Sequence, residues 1–150
     1  MSGAVRAAGG AVAAVLGATG VLHAVWTVTP WPLGSAEEFA DAVVGRGDGV
    51  PPVSACLAVA GALGAGAYLV GAEAGVLPAV GPRRLRRAGV RTVAGVLLAR
   101  GLAGPVVFGR VSERSERFRR LNARYYSPLC AALGAGAAVV AGAGSGRRPQ

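Results

Sequence analysis

The sequence predicts an all-α integral membrane bundle of four transmembrane helices with a short surface helix in the first loop, and three observations carry that prediction. Apolar residues, 53% of the 150, are gathered into long blocks at residues 4–28, 53–77, 88–109 and 127–144. Charged residues, only 15% of the chain, fall almost entirely between those blocks. Proline, tryptophan and glycine cluster at the block ends. At ~1.5 Å of rise per residue, about 20 apolar residues cross a hydrocarbon layer ~30 Å thick, so each block is of spanning length. A soluble chain with mean hydropathy +0.49 would need charge along its outer helix faces, and it is missing there.

The first block, residues 4–28, carries no charged side chain from Ala7 to Val28, which suits a spanning helix better than the shorter apolar core of a signal peptide. It runs into Trp26, Pro30, Trp31 and Pro32. Tryptophan favours the headgroup zone and proline removes a backbone donor, so this cluster marks a membrane surface. The first loop holds Glu37, Glu38, Asp41 and Asp48 against Arg46. Within it, Ser35 and Glu38 have capping-box spacing, and Phe39, Val43 and Val44 line one side of a short helix expected to lie along the surface. Asp48, Gly49, Pro51 and Pro52 end it.

The second block is free of charge until Glu73, expected near the far interface, and its Gly61, Gly64, Ala65 and Gly66 permit close helix packing. The third has Arg100 near its middle and Pro105 beyond. A mid-membrane arginine costs ~2.5–3.5 kcal/mol on insertion scales, so Arg100 is expected to face the bundle interior, a partner or water. The fourth is expected to start with Ser127 as N-cap and Pro128 as first helical residue. The preceding loop, residues 112–125, alternates Arg with Glu113, Glu116, Phe118 and Leu121, a pattern suited to an amphipathic helix on anionic lipid or to a solvated linker.

A net charge of +9 invites a nucleic-acid reading, but the placement of the arginines opposes it. Arg83, Arg84, Arg86 and Arg87 lie directly between two apolar blocks, where positive charge sets topology and meets anionic headgroups, and no zinc-finger spacing or recognition helix accompanies them. Arginines flanking the blocks divide nearly evenly between the two sides. The short, purely basic second loop and the acidic first loop favour both termini in the cytoplasm of a multi-pass protein of the cell inner membrane.

His23, Trp26, Trp31 and Pro32, then Arg100 and Gly101, then Asn122 and Tyr126 to Cys130 form a pattern that resembles domain-of-unknown-function family 3995, small bacterial proteins with four membrane helices. Its His-x-x-Trp near the end of the first helix, the Arg after an aliphatic run in the third and Tyr-Ser-Pro-Leu-Cys at the fourth are matched along nearly the whole chain. The arginine-rich third loop departs from that pattern. The resemblance implies a membrane bundle and supplies no reaction.

With helices alternating up and down, His23, Trp26, Cys56, Tyr126 and Cys130 fall toward one leaflet, and the long Arg100 side chain reaches toward it. This predicts a pocket in which Arg100 meets an anionic headgroup or small anion, Trp26 and Tyr126 form walls, and His23 lies beside them. Glu37, Glu38 and Asp41 are alternative counter-ions for Arg100. Membrane lipid is the expected partner, together with a second copy of the chain or a membrane complex that takes it as a subunit. A second reading makes Cys56 and Cys130 a reversible redox pair of a membrane thiol oxidoreductase. Against it, buried thiols commonly act as small hydrophobes, and there is no Cys-x-x-Cys. No metal and no cofactor are expected, since His23 is the single histidine and no hydrolase, nucleotide or zinc-protease motif occurs.

Overall fold

The computed structural model describes residues 1–46, 50–111 and 113–143. Expectations attached to Asp48, Gly49, Ser112, Gly144, Arg147 and Arg148 fall outside that range, as do the side chains of Arg110 and Val111. Among the described residues every regular element is helical. In chain order they are α1 (Gly3–Val25), α2 (Ala36–Phe39) running into a π-helical turn at Ala40–Val44, α3 (Val53–Glu73), α4 (Arg83–Val106) with a π turn at Val107–Val111, α5 (Glu116–Leu121), a third π turn at Asn122–Tyr126, and α6 (Ser127–Ala143).

Four of the helical stretches are long and apolar enough to cross a membrane: Gly3–Val25, Val53–Glu73, Arg83–Gly109 and Glu116–Ala143. Only 17–33% of each apolar window is buried by the rest of the bundle, so most of its side chains point outward. Val21, Val96 and Leu102 are 62–72% exposed, an arrangement that water penalises and hydrocarbon does not. The interior is built from smaller pieces: Val12 and Leu16 of α1, Ala67 and Val70 of α3, Val90 and Ala94 of α4, and Ala137 and Val140 of α6. The closest pairings are α1 with α3 and α4 with α6. Gly66 packs on Val93 and Leu16 as its spacing suggested, whereas Gly61 and Gly64 face open space.

Two boundaries differ from expectation. Ser127 is not an N-cap: the fourth long helix starts at Glu116, where the Ser115 hydroxyl accepts from the Phe118 amide at 3.1 Å. The arginine-rich segment expected as a separate surface helix or linker is therefore the first part of that rod. Pro128 sits inside it because the π turn just before it changes the hydrogen-bond register where proline has no N–H to give. At the other end of the bundle, Arg83, Arg84, Arg86 and Arg87 are not loop residues but occupy the first turns of α4. Positive side chains at a helix N-terminus oppose the dipole. Glu73, buried to 3% side-chain exposure, offsets them with contacts of 3.2 Å to Arg87, 3.7 Å to Arg86 and 3.9 Å to Arg83.

Candidate functional site

At the opposite end, the first loop and the start of the fourth rod lock together into a cap. Ser35 caps α2 by accepting from the Glu38 amide at 3.1 Å, while the Glu38 carboxylate accepts from the Gly34 amide at 3.0 Å. The short helix then ends at Gly45, whose φ of 73° and whose position against the Phe118 ring, 2.6 Å from where a Cβ would stand, both require glycine. From the other side, Ser115 donates its amide to the Gly45 carbonyl and its hydroxyl to the Asp41 carbonyl, both at 2.8 Å. Arg114 donates to the Val44 carbonyl, and the Tyr126 hydroxyl donates to the Ala42 carbonyl at 3.1 Å. Arg117 closes the seam through Glu38 at 2.9 Å and Asp41 at 4.0 Å. The Arg117 hydrogen bond, helped by the Gly34 amide, holds the Glu38 carboxyl below its ordinary range.

Beneath the cap lies Arg100. Its Nη2 donates to Asn122 Oδ1 at 2.8 Å and its Nη1 to Ser127 Oγ at 3.4 Å, and Ser127 in turn donates to Asn122 at 3.3 Å. Both Asn122 and Ser127 are 1% exposed. The guanidinium lies over the Phe108 ring, 4.6 Å from its centre. Gly104 makes the space: a Cβ there would stand 2.3 Å from Arg100 Nη1 and 2.5 Å from Ser127 Oγ. The π turns at Val107–Val111 and Asn122–Tyr126 flank this cluster, and departures from regular helix of that kind recur at functional sites.

The acidic residues expected to neutralise Arg100 do not reach it. Glu38 and Asp41 are turned to Arg117, Glu37 is exposed, and among the described residues no carboxylate lies within ion-pair distance of Arg100. The reason is geometric: the π turn after α2, with Gly45 at its end, docks on the rod at Phe118, which leaves Glu38 and Asp41 beside Arg117.

Of the other expected site residues, Tyr126 joins the same neighbourhood, since Phe118 bridges Phe108 at 5.8 Å and Tyr126 at 6.1 Å. His23 and Trp26 form a second group. Their rings are 4.6 Å apart, His23 Nδ1 donates to the Thr19 carbonyl, and Trp26 meets buried Phe39 edge-on at 4.9 Å while donating to the Trp31 carbonyl. Trp26 lines an open groove of about 190 Å³ with Thr27, Pro30, Phe39 and Val50. No hydrogen bond or ring contact among the described residues links His23 or Trp26 to Arg100. Cys56 is buried near the start of α3, Cys130 is half-buried in the first turn of α6, and both are free thiols.

Asn122 is the residue that sequence reasoning did not assign a role. A polar side chain inside a charged stretch reads as solvated, and the signal that would have separated it is its place just before an apolar block that contains an interior proline.

Four helices long and apolar enough to cross a membrane define a multi-pass membrane protein, with Arg100 held among neutral groups beneath the cap. The model of the family described as "Protein of unknown function (DUF3995)" matches residues 16–137, and the chain belongs to that family. No curated protein and no solved structure matches it.

Proposed function

We propose that this protein is a binding module of the cell inner membrane, both termini cytoplasmic, that holds an anionic group against Arg100 beneath the cap. The shared chemistry is that of a phosphate-like anion, supplied by a phospholipid headgroup or by a small ion. The observation that carries the reading is the partner set of Arg100: Asn122, Ser127 and the Phe108 face are all neutral, so they bind the guanidinium without cancelling its charge. A guanidinium also has more donors than these acceptors use, and its planar fork suits phosphate. An uncompensated cation at membrane depth favours an anion beside it. Trp26 and His23 contribute to this reading as the apolar flank of the cap and not as contacts to the ligand. No specific contact favours the alternative of a thiol oxidoreductase using Cys56 and Cys130.

Asn122→Asp tests the proposal, because it gives Arg100 an internal carboxylate while keeping the shape. Native mass spectrometry of the purified wild type should find a retained anionic phospholipid, or an inorganic phosphate adduct if the source is a free ion. Asn122→Asp should lose that adduct at unchanged or raised thermal stability. Equal retention by Asn122→Asp, Arg100→Gln and wild type, with all three folded, would sink the reading.

A further inference from the structure

The packing of α4 on α6 is uneven along its length. Near the cap the backbones touch: a Cβ on Gly101 would stand 2.5 Å from the Ala131 amide nitrogen, and one on Gly134 would stand 2.8 Å from the Leu98 amide nitrogen. Toward the other end buried Ala94, Ala137 and Ala141 keep the helices packed, but the outward side of their seam is lined by residues too small to cover it. Gly95 and Gly142 have nothing within 4 Å of their Cβ positions, and a groove of about 370 Å³ opens there, floored by Gly95, Leu98, Ala138 and Gly142 and ending at Arg91. That volume lies within the roughly 300–1,000 Å³ of sites that take small ligands.

The mouth of the groove is cationic. Residues 84, 91, 95 and 98 follow one another at helical spacings of seven, four and three, so the groove floor continues along a single stripe of α4 into Arg91 and then Arg84, both exposed. Arg86 and Arg87 are turned away toward Glu73 on the α3 side. An apolar trough of acyl-chain polarity that opens on two guanidiniums at the level where α4 leaves its apolar stretch matches one class of molecule end to end.

We infer that the α4–α6 groove is a binding site for an anionic phospholipid, one acyl chain lying over Gly95 and Leu98 and its phosphate between Arg91 and Arg84. The phosphate position of this site, at Arg84 and Arg91, lies toward the end of α4 away from the cap, shares no residue with the Arg100 cluster and stands without it. A hydrocarbon environment fills any such trough with lipid; the two arginines make the occupant selective. Each cation near the surface adds about 1 kcal/mol toward an anionic headgroup, which is about a fivefold preference.

Full-length protein, stripped of lipid in detergent, is titrated with phosphatidylglycerol or phosphatidylcholine, and bound lipid is counted by native mass spectrometry. The titrations are run in the wild-type and Asn122→Asp backgrounds, so that a failure of the Arg100 site leaves these differences readable. Arg84→Gln and Arg91→Gln should each weaken phosphatidylglycerol binding about fivefold and leave phosphatidylcholine unchanged. Gly95→Leu, which fills the groove, should weaken both lipids. Arg84 is exposed, so its variant folds whatever happens at Arg91, and a circular-dichroism melt verifies each protein. Wild-type phosphatidylglycerol preference in Arg84→Gln and Arg91→Gln together, wild-type lipid binding in Gly95→Leu, or conversion of a wild-type dimer to monomer by Gly95→Leu overturns the inference.

Discussion

The two ends of the bundle handle arginine in opposite ways. Where α3 turns into α4, the buried charge is a carboxylate: Glu73 sits inward and three guanidiniums converge on it from the rim. Under the cap the inward charge is the half-buried guanidinium of Arg100 itself, and its buried hydrogen-bond partners, Asn122 and Ser127, carry none. The first arrangement supplies an acid from within the chain and serves folding, by relieving the crowded N-terminus of α4, although three guanidiniums share one carboxylate and Arg86 Nε and Arg87 Nη2 are left without hydrogen bonds. The second satisfies geometry and leaves charge over. Identical side chains in similar surroundings thus take different roles according to whether the inner partner is an acid or an amide.

That contrast can be broken most forcefully at Glu73. Glu73→Gln keeps the shape and removes the anion, leaving Arg86 and Arg87 facing each other at a helix start. Removal of one partner from a fully buried pair costs about 3–5 kcal/mol; the arginines here are partly exposed, so about 2 kcal/mol is expected, read as a lowered unfolding midpoint in detergent. Unchanged stability would mean that the α3–α4 end does not depend on its carboxylate.

A smaller effect is expected from Gly104→Ala. The added methyl meets Arg100 and Ser127, with crowding of about 1–3 kcal/mol, against which stands a helix gain of about 1 kcal/mol. Net stability should fall by about 1 kcal/mol, while the anionic adduct at Arg100 should drop much further than stability does. If binding and stability fall in proportion, Arg100 is a packing residue like those around Glu73 and the comparison fails.

The smallest effect lies in the cap. The folded-state pKa of Glu38 is depressed by Arg117, so its contribution is present above the ordinary carboxylate value and is lost as pH falls through the lower, folded one. Acidification below about pH 4 should loosen α2 from the rod, seen as a change in Trp26 fluorescence through its contact with Phe39, and Arg117→Ala should abolish that transition. Salt should weaken it too, because both groups are exposed to solvent.

Most of the architecture was legible because hydropathy and punctuation are local signals. The apolar blocks, the Ser35–Glu38 cap and the inward Phe39 follow from neighbours within a few positions. The site was legible only in part. Arg100 stood out by its depth, but its partners Asn122 and Ser127 lie more than 20 residues away across a loop, and a π turn shifts the register that would have put them on one face. Likewise, nothing within the first loop marks Glu38 and Asp41 as belonging to Arg117, since that pairing arises when the π turn after α2 and its Gly45 dock against Phe118. The Ser127–Pro128 reading failed because a favourable local start for a helix was overridden by a longer one anchored at Ser115.

The uninterrupted path from Glu116 to Ala143 has a mechanical consequence. Its 28 residues make a shaft about 42 Å long, roughly 12 Å more than hydrocarbon needs. The surplus stands clear of the lipid like a mast, and the first loop is moored to it by Ser115, Arg117 and Tyr126. A tilt of the shaft within the bilayer therefore carries the moored loop with it, and the π turn at Asn122–Tyr126 is the one irregular turn of the shaft between the apolar stretch and the moorings at Ser115 and Arg117.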